Sequence, residues 1–319
     1  MRLCQYRTRE GQRRIGLAHG DRIVDLAAVG RQLDLGYAFP ETLLRLIEDG
    51  DPALAAAREI AEAVGKDTAM ASDPALSVAP DSVHLEAPVT RPPKFFSVAI
   101  NGGANWRSAT KPANPNPHYF IKLHTSIVGP YDPVEIPDVG QVGPEVELAV
   151  IIGKGGRDIP EERALEHVFG FTTHNDITAH EMRKTTEWIL MHRPDGSEER
   201  LTYPGRYKNF DRTAPMGPWL VTTDAVPDPN SLQLRAWLNG ELCQEGTNAD
   251  HIYPVEKLVA YLSQAHTLEP GDIISTGTVP AKPPWTMTTI DLGKSGGVVA
   301  AEVEGIGRVE NPIVFLGAR

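Results

Sequence analysis

The chain contains little cysteine: Cys4 and Cys243 are the only two among 319 residues. They lie far apart, without the spacing of a metal site, and indicate neither a disulfide framework nor a thiolate zinc site. Long apolar runs are also lacking. No stretch of about 18 apolar residues is present, and residues 1–7 contain no apolar core of a signal peptide. These absences predict a soluble, cytoplasmic protein.

Basic residues are outnumbered, since 31 lysines and arginines face 42 aspartates and glutamates and give a formal net charge of −11. Nucleic acids and anionic membranes bind to basic surfaces, so neither is predicted as a partner. With 41% hydrophobic and 23% charged residues, the composition is that of an ordinary globular protein. The length exceeds the roughly 100 to 200 residues of one domain, which predicts a large domain with a smaller one.

Residues 1–75 have the pattern of a small α+β domain. Arg14–Leu17 and Arg22–Leu26 flank a turn-prone His-Gly-Asp sequence, which predicts a β-hairpin. Helices are predicted over Glu41–Ile47 and Pro52–Val64, because each segment is bounded by proline or glycine.

Residues 93–319 have the pattern of a mainly β domain, and the proline-dense stretch 76–92 before them predicts a linker. Short β-rich runs recur between turn signals in this part. They are Phe95–Ile100, Tyr119–Lys122, Val146–Ile152, Phe169–Thr173, Trp219–Thr222, Gln233–Leu238, Ile273–Thr276 and Val298–Val303. The clearest helices are Val255–Gln264 and one that begins near Thr178. Because strands and helices do not alternate regularly, a doubly wound nucleotide-binding fold is not expected.

Two acidic residues stand at the start of a predicted core strand. Glu145 and Glu147 precede the apolar run that ends at Ile152. Side chains alternate between the faces of a strand, so the two carboxylates share one face, opposite Val146 and Leu148. A buried pair of like charges requires a cation, whereas an exposed pair is merely solvated. This segment alone leaves both interpretations open.

A third acid, Asp176, follows the predicted strand Phe169–Thr173. Thr178 and Glu181 then have the spacing of a capping box, which places Asp176 at a strand-to-helix junction. An aspartate at a helix start is common without any further function. Together with the two glutamates, however, it would complete a set of oxygen ligands suited to Mg²⁺, Mn²⁺ or Ca²⁺.

Eight ordered segments, spread over most of the chain, resemble the fumarylacetoacetate hydrolase family. They are 92–94 with Asn101, 120–122 with 126–130, 145–153, 175–179, 208–211 with 214–219, 238–241 with Gln244, 270–278, and 305–307. The resemblance implies a mainly β catalytic domain with some helix, a mixed β-roll or sandwich of this family's C-terminal type. It also implies a small α+β N-terminal domain and a homodimer.

The resemblance also implies roles for individual residues. Glu145, Glu147 and Asp176 match the family's metal ligands, with Mg²⁺ the expected ion and Mn²⁺ or Ca²⁺ alternatives. Lys208 matches a lysine near the metal, where a cation helps to hold a developing oxyanion. Thr278 matches a residue that binds the substrate's carboxylate. The neighbouring Gly277, and Lys122 in the second segment, are expected on the substrate side.

The chemistry implied by the resemblance is hydrolysis of a carbon-carbon bond in an acylpyruvate-like 2,4-dioxo acid, as in the catabolism of aromatic compounds. A divalent ion bound by the substrate acts as a Lewis acid on its ketone, and the departing carbon leaves as an enolate. The same feature serves β-decarboxylation, ketonisation, isomerisation and dehydration of 2-oxo acids. The expected partner is therefore a small 2-oxo carboxylate.

The chain departs from the family where water is activated. Asn105 and Ser108 occupy the positions of the usual histidine and glutamate. An amide has no basic lone pair, so a direct copy of the hydrolytic mechanism is in doubt. An isomerase, hydratase, dehydratase or decarboxylase is the alternative function. A catalytically silent metabolite-binding protein is a third hypothesis.

Other residues are candidates for catalytic roles where the chain departs from the family. Arg183 stands where the family often has a glutamine, and it could pair with a substrate carboxylate. The insertion 191–200 has the polarity of a surface loop, and it could also be a lid that brings His192 over the site. His118 and His124 are further candidates for a general base.

Overall fold

The computed structural model describes residues 1–102 and 116–317, which form nineteen strands and seven α-helices. The strands are β1 (Arg2–Arg7), β2 (Arg13–His19), β3 (Arg22–Asp25), β4 (Ser77–Val78), β5 (His84–Glu86), β6 (Phe95–Ala99), β7 (His118–Ile121), β8 (Ile127–Val128), β9 (Val134–Ile136), β10 (Val146–Ile152), β11 (Val168–Asn175), β12 (Ile189–His192), β13 (Glu198–Leu201), β14 (Ala214–Thr222), β15 (Gln233–Leu238), β16 (Glu241–Thr247), β17 (Ile273–Thr278), β18 (Val298–Val303) and β19 (Gly307–Phe315). The α-helices are α1 (Leu26–Gln32), α2 (Leu43–Asp49), α3 (Asp51–Lys66), α4 (Thr68–Ser72), α5 (His180–Thr185), α6 (Val255–Ala265) and α7 (Leu292–Ser295).

A sheet of 12 strands dominates the fold, with the order β4-β3-β2-β1-β14-β11-β10-β17-β6-β7 and with β5 and β8 paired to β1 and β14. A second sheet of 5 strands has the order β16-β15-β18-β19-β9, and β12 and β13 form a separate hairpin. Most pairs are antiparallel, while β8 runs parallel to β14, β17 to β6 and β19 to β9. The predicted mainly β class with few helices is confirmed.

The central strand β10 is buried on both faces, as its apolar sequence predicts. The even-numbered residues from Val146 to Ile152 lie in a core shared with the five-stranded sheet and α6. Ala149 and Ile151 lie in a second core, shared with α2 and α3. The alternation predicted along this strand is thus confirmed, and Glu147 lies on the side of the second core.

The N-terminal segment contributes strands to the large sheet. The predicted hairpin is confirmed as β2 and β3, and the two predicted helices as α2 and α3, with bounds shifted by a few residues. Strand β1 pairs antiparallel with β14, where Leu3 lies opposite Leu220. The stretch 76–92, predicted as a linker, includes β4 and β5, which pair with β3 and β1. The division into two domains stays a prediction, because one sheet runs through both parts.

Among the described residues, no helix combines the length and the apolar character needed to cross a membrane. The two longest described helices, α3 and α6, instead bury one face against a core. Both helices therefore pack against the strands that share these cores.

Candidate active site

Three carboxylates converge where β10 begins and β11 ends. The register of the two antiparallel strands places Val146 opposite Asn175. Glu145 immediately precedes this pair and Asp176 immediately follows it, and the Asp176 amide donates to the Glu145 carbonyl at 2.8 Å. The carboxylates of Glu145, Glu147 and Asp176 each offer an oxygen within 4.8 Å of the others. The predicted acidic cluster is therefore present in the fold.

The loop after Asp176 differs from the predicted capping box. Helix α5 begins at His180, and its N-cap residue Ala179 forms no side-chain cap. The Thr178 hydroxyl instead donates to the Asp176 carbonyl at 2.9 Å, and Glu181 accepts from the Gln141 amide at 3.0 Å. The capping-box prediction is wrong, because both polar side chains bond to the loops beside the carboxylates.

Two buried lysines hold the cluster from one side. The Lys208 ammonium donates to Glu145 Oε2 at 2.6 Å and to Asp176 Oδ2 at 2.7 Å. The Lys122 ammonium donates to Asp176 Oδ1 and to the Lys208 carbonyl, each at 2.6 Å.

The contacts between the lysines and the carboxylates determine the charge states of Asp176 and Lys208. Burial alone would raise the pKa of Asp176, but Lys122 and Lys208 hold that pKa well below its ordinary value. Burial likewise opposes the charge of Lys208, yet Asp176 and Glu145 raise its pKa above the ordinary lysine value. At neutral pH the two groups are a carboxylate and an ammonium.

Among the described residues, Glu147 differs from the other two carboxylates in having no ion pair. It is buried, and its Oε2 accepts from the Ser275 hydroxyl at 2.5 Å and from the Gly277 amide at 2.9 Å, both of which are neutral donors. No ion pair of Glu147 occurs within residues 1–102 and 116–317. Burial and the nearby Asp176 raise the pKa of Glu147 to about 8. A divalent cation beside Glu147 would keep its carboxylate ionised. The three carboxylates are hard oxygen ligands and fit such an ion.

Two carboxylates of the cluster, those of Glu145 and Glu147, line a cleft of about 880 Å³. Lys208 also lines it, together with Thr278 from the end of β17. Basic and aromatic side chains form much of the rest of the wall: His118, Tyr119, Phe120, His180, Arg183, Lys184, Trp188, Arg200, Tyr203 and Tyr207. A small anionic molecule would thus meet both the carboxylate cluster and several cations.

The three residues predicted on the substrate side, Thr278, Gly277 and Lys122, differ in whether they line the cleft. Thr278 lines the cleft, and its hydroxyl accepts from the Gln244 amide at 3.2 Å. Gly277 lies behind Glu147 with φ +97°, and a Cβ there would approach Asn101 Cβ to 2.8 Å. Lys122 is fully buried and does not line the cleft. Its ammonium contacts Asp176 and the Lys208 carbonyl, and a contact with substrate stays a prediction.

The candidate catalytic residues also differ in whether they line the cleft. Arg183 lines the cleft. His192 does not: its side chain is 73% exposed, and its Nδ1 lies 3.2 Å from Glu198 across the hairpin of β12 and β13. The predicted approach of His192 to the site is corrected, because the insertion folds as a hairpin that brings Arg200 to the cleft instead. Asn105 lies outside the described residues.

Sequence reasoning did not select His180, the first residue of α5. Its Nε2 lies 3.7 Å from Glu145 Oε1, and this buried nitrogen has no hydrogen-bond partner in the part of the chain that the structure describes. Burial lowers the pKa of His180, and Lys208 and Arg183 act in the same direction, so the imidazole is neutral at neutral pH. The available sequence signal for His180 was its position only four residues after the predicted metal ligand Asp176.

His174 and Ser275 were also missed. They are polar residues of the core strands β11 and β17, which also contain threonines, and both are fully buried. Burial lowers the pKa of His174 to about 3, so this imidazole is also neutral. A histidine inside a core strand was the only sequence signal.

Comparison with known proteins shows the family of the chain. The family model described as "Fumarylacetoacetate (FAA) hydrolase C-terminal" matches residues 94–314. The mitochondrial oxaloacetate tautomerase fahd2 of Xenopus laevis is 33% identical over 321 residues, covering 98% of this chain and 90% of the relative.

Two solved structures extend the likeness to the whole fold. The maleylpyruvate hydrolase of Sphingobium sp. SYK-6, in complex with manganese(II) and pyruvate, has a TM-score of 0.71 at 28% identity, covering 99% of each chain. The 5-carboxymethyl-2-hydroxymuconate delta-isomerase of Mycobacterium smegmatis has a TM-score of 0.68 at 26% identity, covering 99% of this chain and 100% of the other.

The fold and the cleft define a sheet-rich enzyme with a carboxylate cluster that could hold a divalent ion. The chain belongs to the fumarylacetoacetate hydrolase family.

Proposed function

We propose that the protein is a divalent-cation-dependent enzyme that interconverts the keto and enol forms of a 2-oxo carboxylate with a second acidic group. The observation that carries this proposal is the cluster of Glu145, Glu147 and Asp176 with the Lys208 ammonium, beside a cleft whose lining is rich in cations. The relative from Xenopus laevis, named as an oxaloacetate tautomerase, supports the choice of reaction.

The three carboxylates are the proposed ligands, with Mg²⁺ as the expected ion and Mn²⁺ or Ca²⁺ as alternatives. The solved hydrolase with manganese(II) and pyruvate supports this assignment. A bound divalent ion would supply a Lewis acid for the 2-oxo group of the substrate. The Lys208 ammonium, kept charged by Glu145 and Asp176, is placed to hold negative charge that develops on an oxygen beside it.

His180 is the proposed proton-transfer group. Tautomerisation requires that a proton leave the carbon next to the ketone and that a proton be added to the ketone oxygen, so the molecular formula does not change. The His180 side chain lines the cleft, and its buried Nε2 has no hydrogen-bond partner in the described residues. A neutral imidazole in this position can accept and return a proton.

The second acidic group is proposed from the charges of the cleft wall. Arg183, Lys184 and Arg200 line the cleft, and none of them forms an ion pair with an acidic side chain within the described ranges. Residues 103–115 contain no aspartate or glutamate that could pair with them. In a chain of net charge −11, unpaired cations around one cleft favour a substrate with a distal carboxylate.

The test follows the approach of oxaloacetate to its keto-enol equilibrium by the ultraviolet absorbance of the enol. We expect the purified protein to accelerate it with Mg²⁺ or Mn²⁺, to lose this activity with a chelator, and to regain it when the ion returns. Mass spectrometry should find the substrate mass unchanged. A sample with ion but no protein corrects for catalysis by the free ion. An equilibration rate that the protein does not change would refute the proposal.

Arg183 provides a prediction about substrate binding. Arg183→Gln should raise KM for a 2-oxo dicarboxylate by roughly tenfold, because a charge-assisted hydrogen bond to the distal carboxylate is lost. KM for a 2-oxo monocarboxylate should stay unchanged. Arg9→Gln, at an exposed arginine outside the cleft lining, is the matched control. Equal changes for both substrates would contradict the assignment.

Hydrolysis of a carbon-carbon bond in an acylpyruvate is the second candidate function. The likeness to a maleylpyruvate hydrolase over the whole chain favours it. It needs a group that activates water, and the positions of the family's usual dyad, Asn105 and Ser108, lie outside the described residues. Two smaller products with the elements of water added, formed from an acylpyruvate, would identify this reaction in the same mass-spectrometric assay.

Assembly and location stay predictions. A homodimer is expected from the family, and the exposed apolar side chains of Ile121 and Leu123 at the β7 edge of the large sheet are compatible with a covered surface. The cytoplasm is the expected compartment, although the relative from Xenopus laevis is named as mitochondrial.

A further inference from the structure

Behind Glu147, a buried chain of hydrogen bonds connects three strands. His174 Nδ1 lies 2.7 Å from the Ser275 hydroxyl, and that hydroxyl lies 2.5 Å from Glu147 Oε2. His174 stands opposite Glu147 on β11, and Ser275 lies on β17, the other neighbour of β10. All three side chains are buried, so solvent does not compete for these bonds.

The direction of each bond follows from the number of hydrogens. With the proposed cation bound, Glu147 is ionised and its carboxylate can only accept, so the single hydroxyl hydrogen of Ser275 is donated to Glu147. The Ser275 oxygen must then accept from His174, which places a ring hydrogen on Nδ1. His174 Nε2 has no hydrogen-bond partner among the described residues, so the bond to Ser275 is the one hydrogen bond of this ring that they show.

These bonds occupy one oxygen of the carboxylate. Glu147 Oε2 accepts from Ser275 and from the Gly277 amide, both on β17, whereas Oε1 accepts no hydrogen bond from the described part of the chain. A carboxylate fixed through one oxygen in this way presents the other in a defined orientation. That orientation is what a metal ligand needs.

We propose that His174 is a positioning residue that acts through Ser275 to orient Glu147 for a divalent cation. This inference rests on the proposed cation site. Groups that hydrogen-bond to metal ligands typically change metal affinity by about 10- to 100-fold when they are removed. The competing explanation is that His174 only fills space beside Phe95, whose ring centroid lies 5.3 Å away.

The experiment measures the Kd for Mn²⁺ of the full-length chain by calorimetry and by the electron spin resonance signal of free Mn²⁺. His174→Leu fills similar space without a donor and should raise the Kd by about 10- to 100-fold. His174→Asn keeps an N–H near the position of Nδ1 and should recover most of the affinity. Ser275→Ala should weaken binding as much as His174→Leu does.

Coupling between the two positions is the decisive readout. If His174 acts through Ser275, then adding His174→Leu to Ser275→Ala should weaken binding no further. Ser263→Ala, at another fully buried serine outside the cleft lining, is the matched control and should leave the Kd unchanged. Thermal melting of each variant identifies any loss of folding, and Ser275→Ala provides the test if His174→Leu does not fold.

The outcomes separate this inference from the proposed function. A wild-type chain that does not bind Mn²⁺ overturns both. Normal binding by the wild type, with unchanged Kd in His174→Leu and Ser275→Ala, overturns the positioning role alone. Additive losses in the double variant also overturn it, as does a His174→Asn variant that folds and binds as poorly as His174→Leu.

Discussion

Glu147→Gln is expected to prevent tight binding of a divalent cation and to lower the metal-dependent turnover by about a thousandfold. A Lewis-acid ion contributes several kcal/mol of charge stabilisation, and each 1.36 kcal/mol corresponds to a factor of about ten in rate. Glutamine has the same shape and keeps a carbonyl oxygen for the Ser275 hydroxyl and the Gly277 amide. The fold should therefore be retained while the charge is lost.

The measurements are the Mn²⁺ Kd and the rate of keto-enol equilibration at saturating ion. Glu162→Gln is the matched control, because Glu162 is exposed and lies outside the cleft lining. It should behave as the wild type in both assays. A Glu147→Gln variant with wild-type Mn²⁺ affinity would remove Glu147 from the proposed ligands, and one with wild-type turnover would remove metal chemistry from the proposed mechanism.

Lys122→Met is expected to lower the free energy of unfolding by about 3 kcal/mol, because one partner of a buried ion pair is removed. Both side chains of the Lys122–Asp176 pair are fully buried, at 2.6 Å. Methionine fills similar space but leaves Asp176 with Lys208 as its remaining cation and removes a donor from the Lys208 carbonyl. Urea denaturation without added metal measures the change.

A double-mutant cycle tests whether the loss comes from this pair. Asp176→Asn should destabilise the Lys122→Met variant less than it destabilises the wild type, because the two charges no longer face each other. Lys154→Met, at an exposed lysine, is the control and should change stability by at most about 0.5 kcal/mol.

The same variant distinguishes two roles for Lys122. The family resemblance predicted a contact with substrate, whereas the structure surrounds the ammonium with Asp176 and the Lys208 carbonyl. A substrate contact would raise KM and leave stability unchanged. A stable Lys122→Met protein with a raised KM would therefore favour the sequence-based prediction over the structural one.

The sequence by itself determined the mainly β class and the acidic cluster. The class and the position of each acid on its strand depend on local patterns, because side chains alternate along a strand and apolar residues in such a pattern must be buried. The alternation along β10 was therefore predictable, as was the position of Asp176 at the end of a strand. The ordered family segments then indicated that Glu145, Glu147 and Asp176 belong together.

Only the tertiary structure decided which other side chains meet this cluster. Lys122 and Asp176 are 54 residues apart, and His174 and Ser275 are 101 apart, so no local pattern could connect them. Strand order and register place His174 and Ser275 on the two strands that flank β10 and Glu147. The same long-range packing places His180 beside Glu145 and turns the polar insertion into a hairpin that directs Arg200, and not His192, to the cleft. Such contacts follow from which strands become neighbours, and strand pairing is a property of the whole chain.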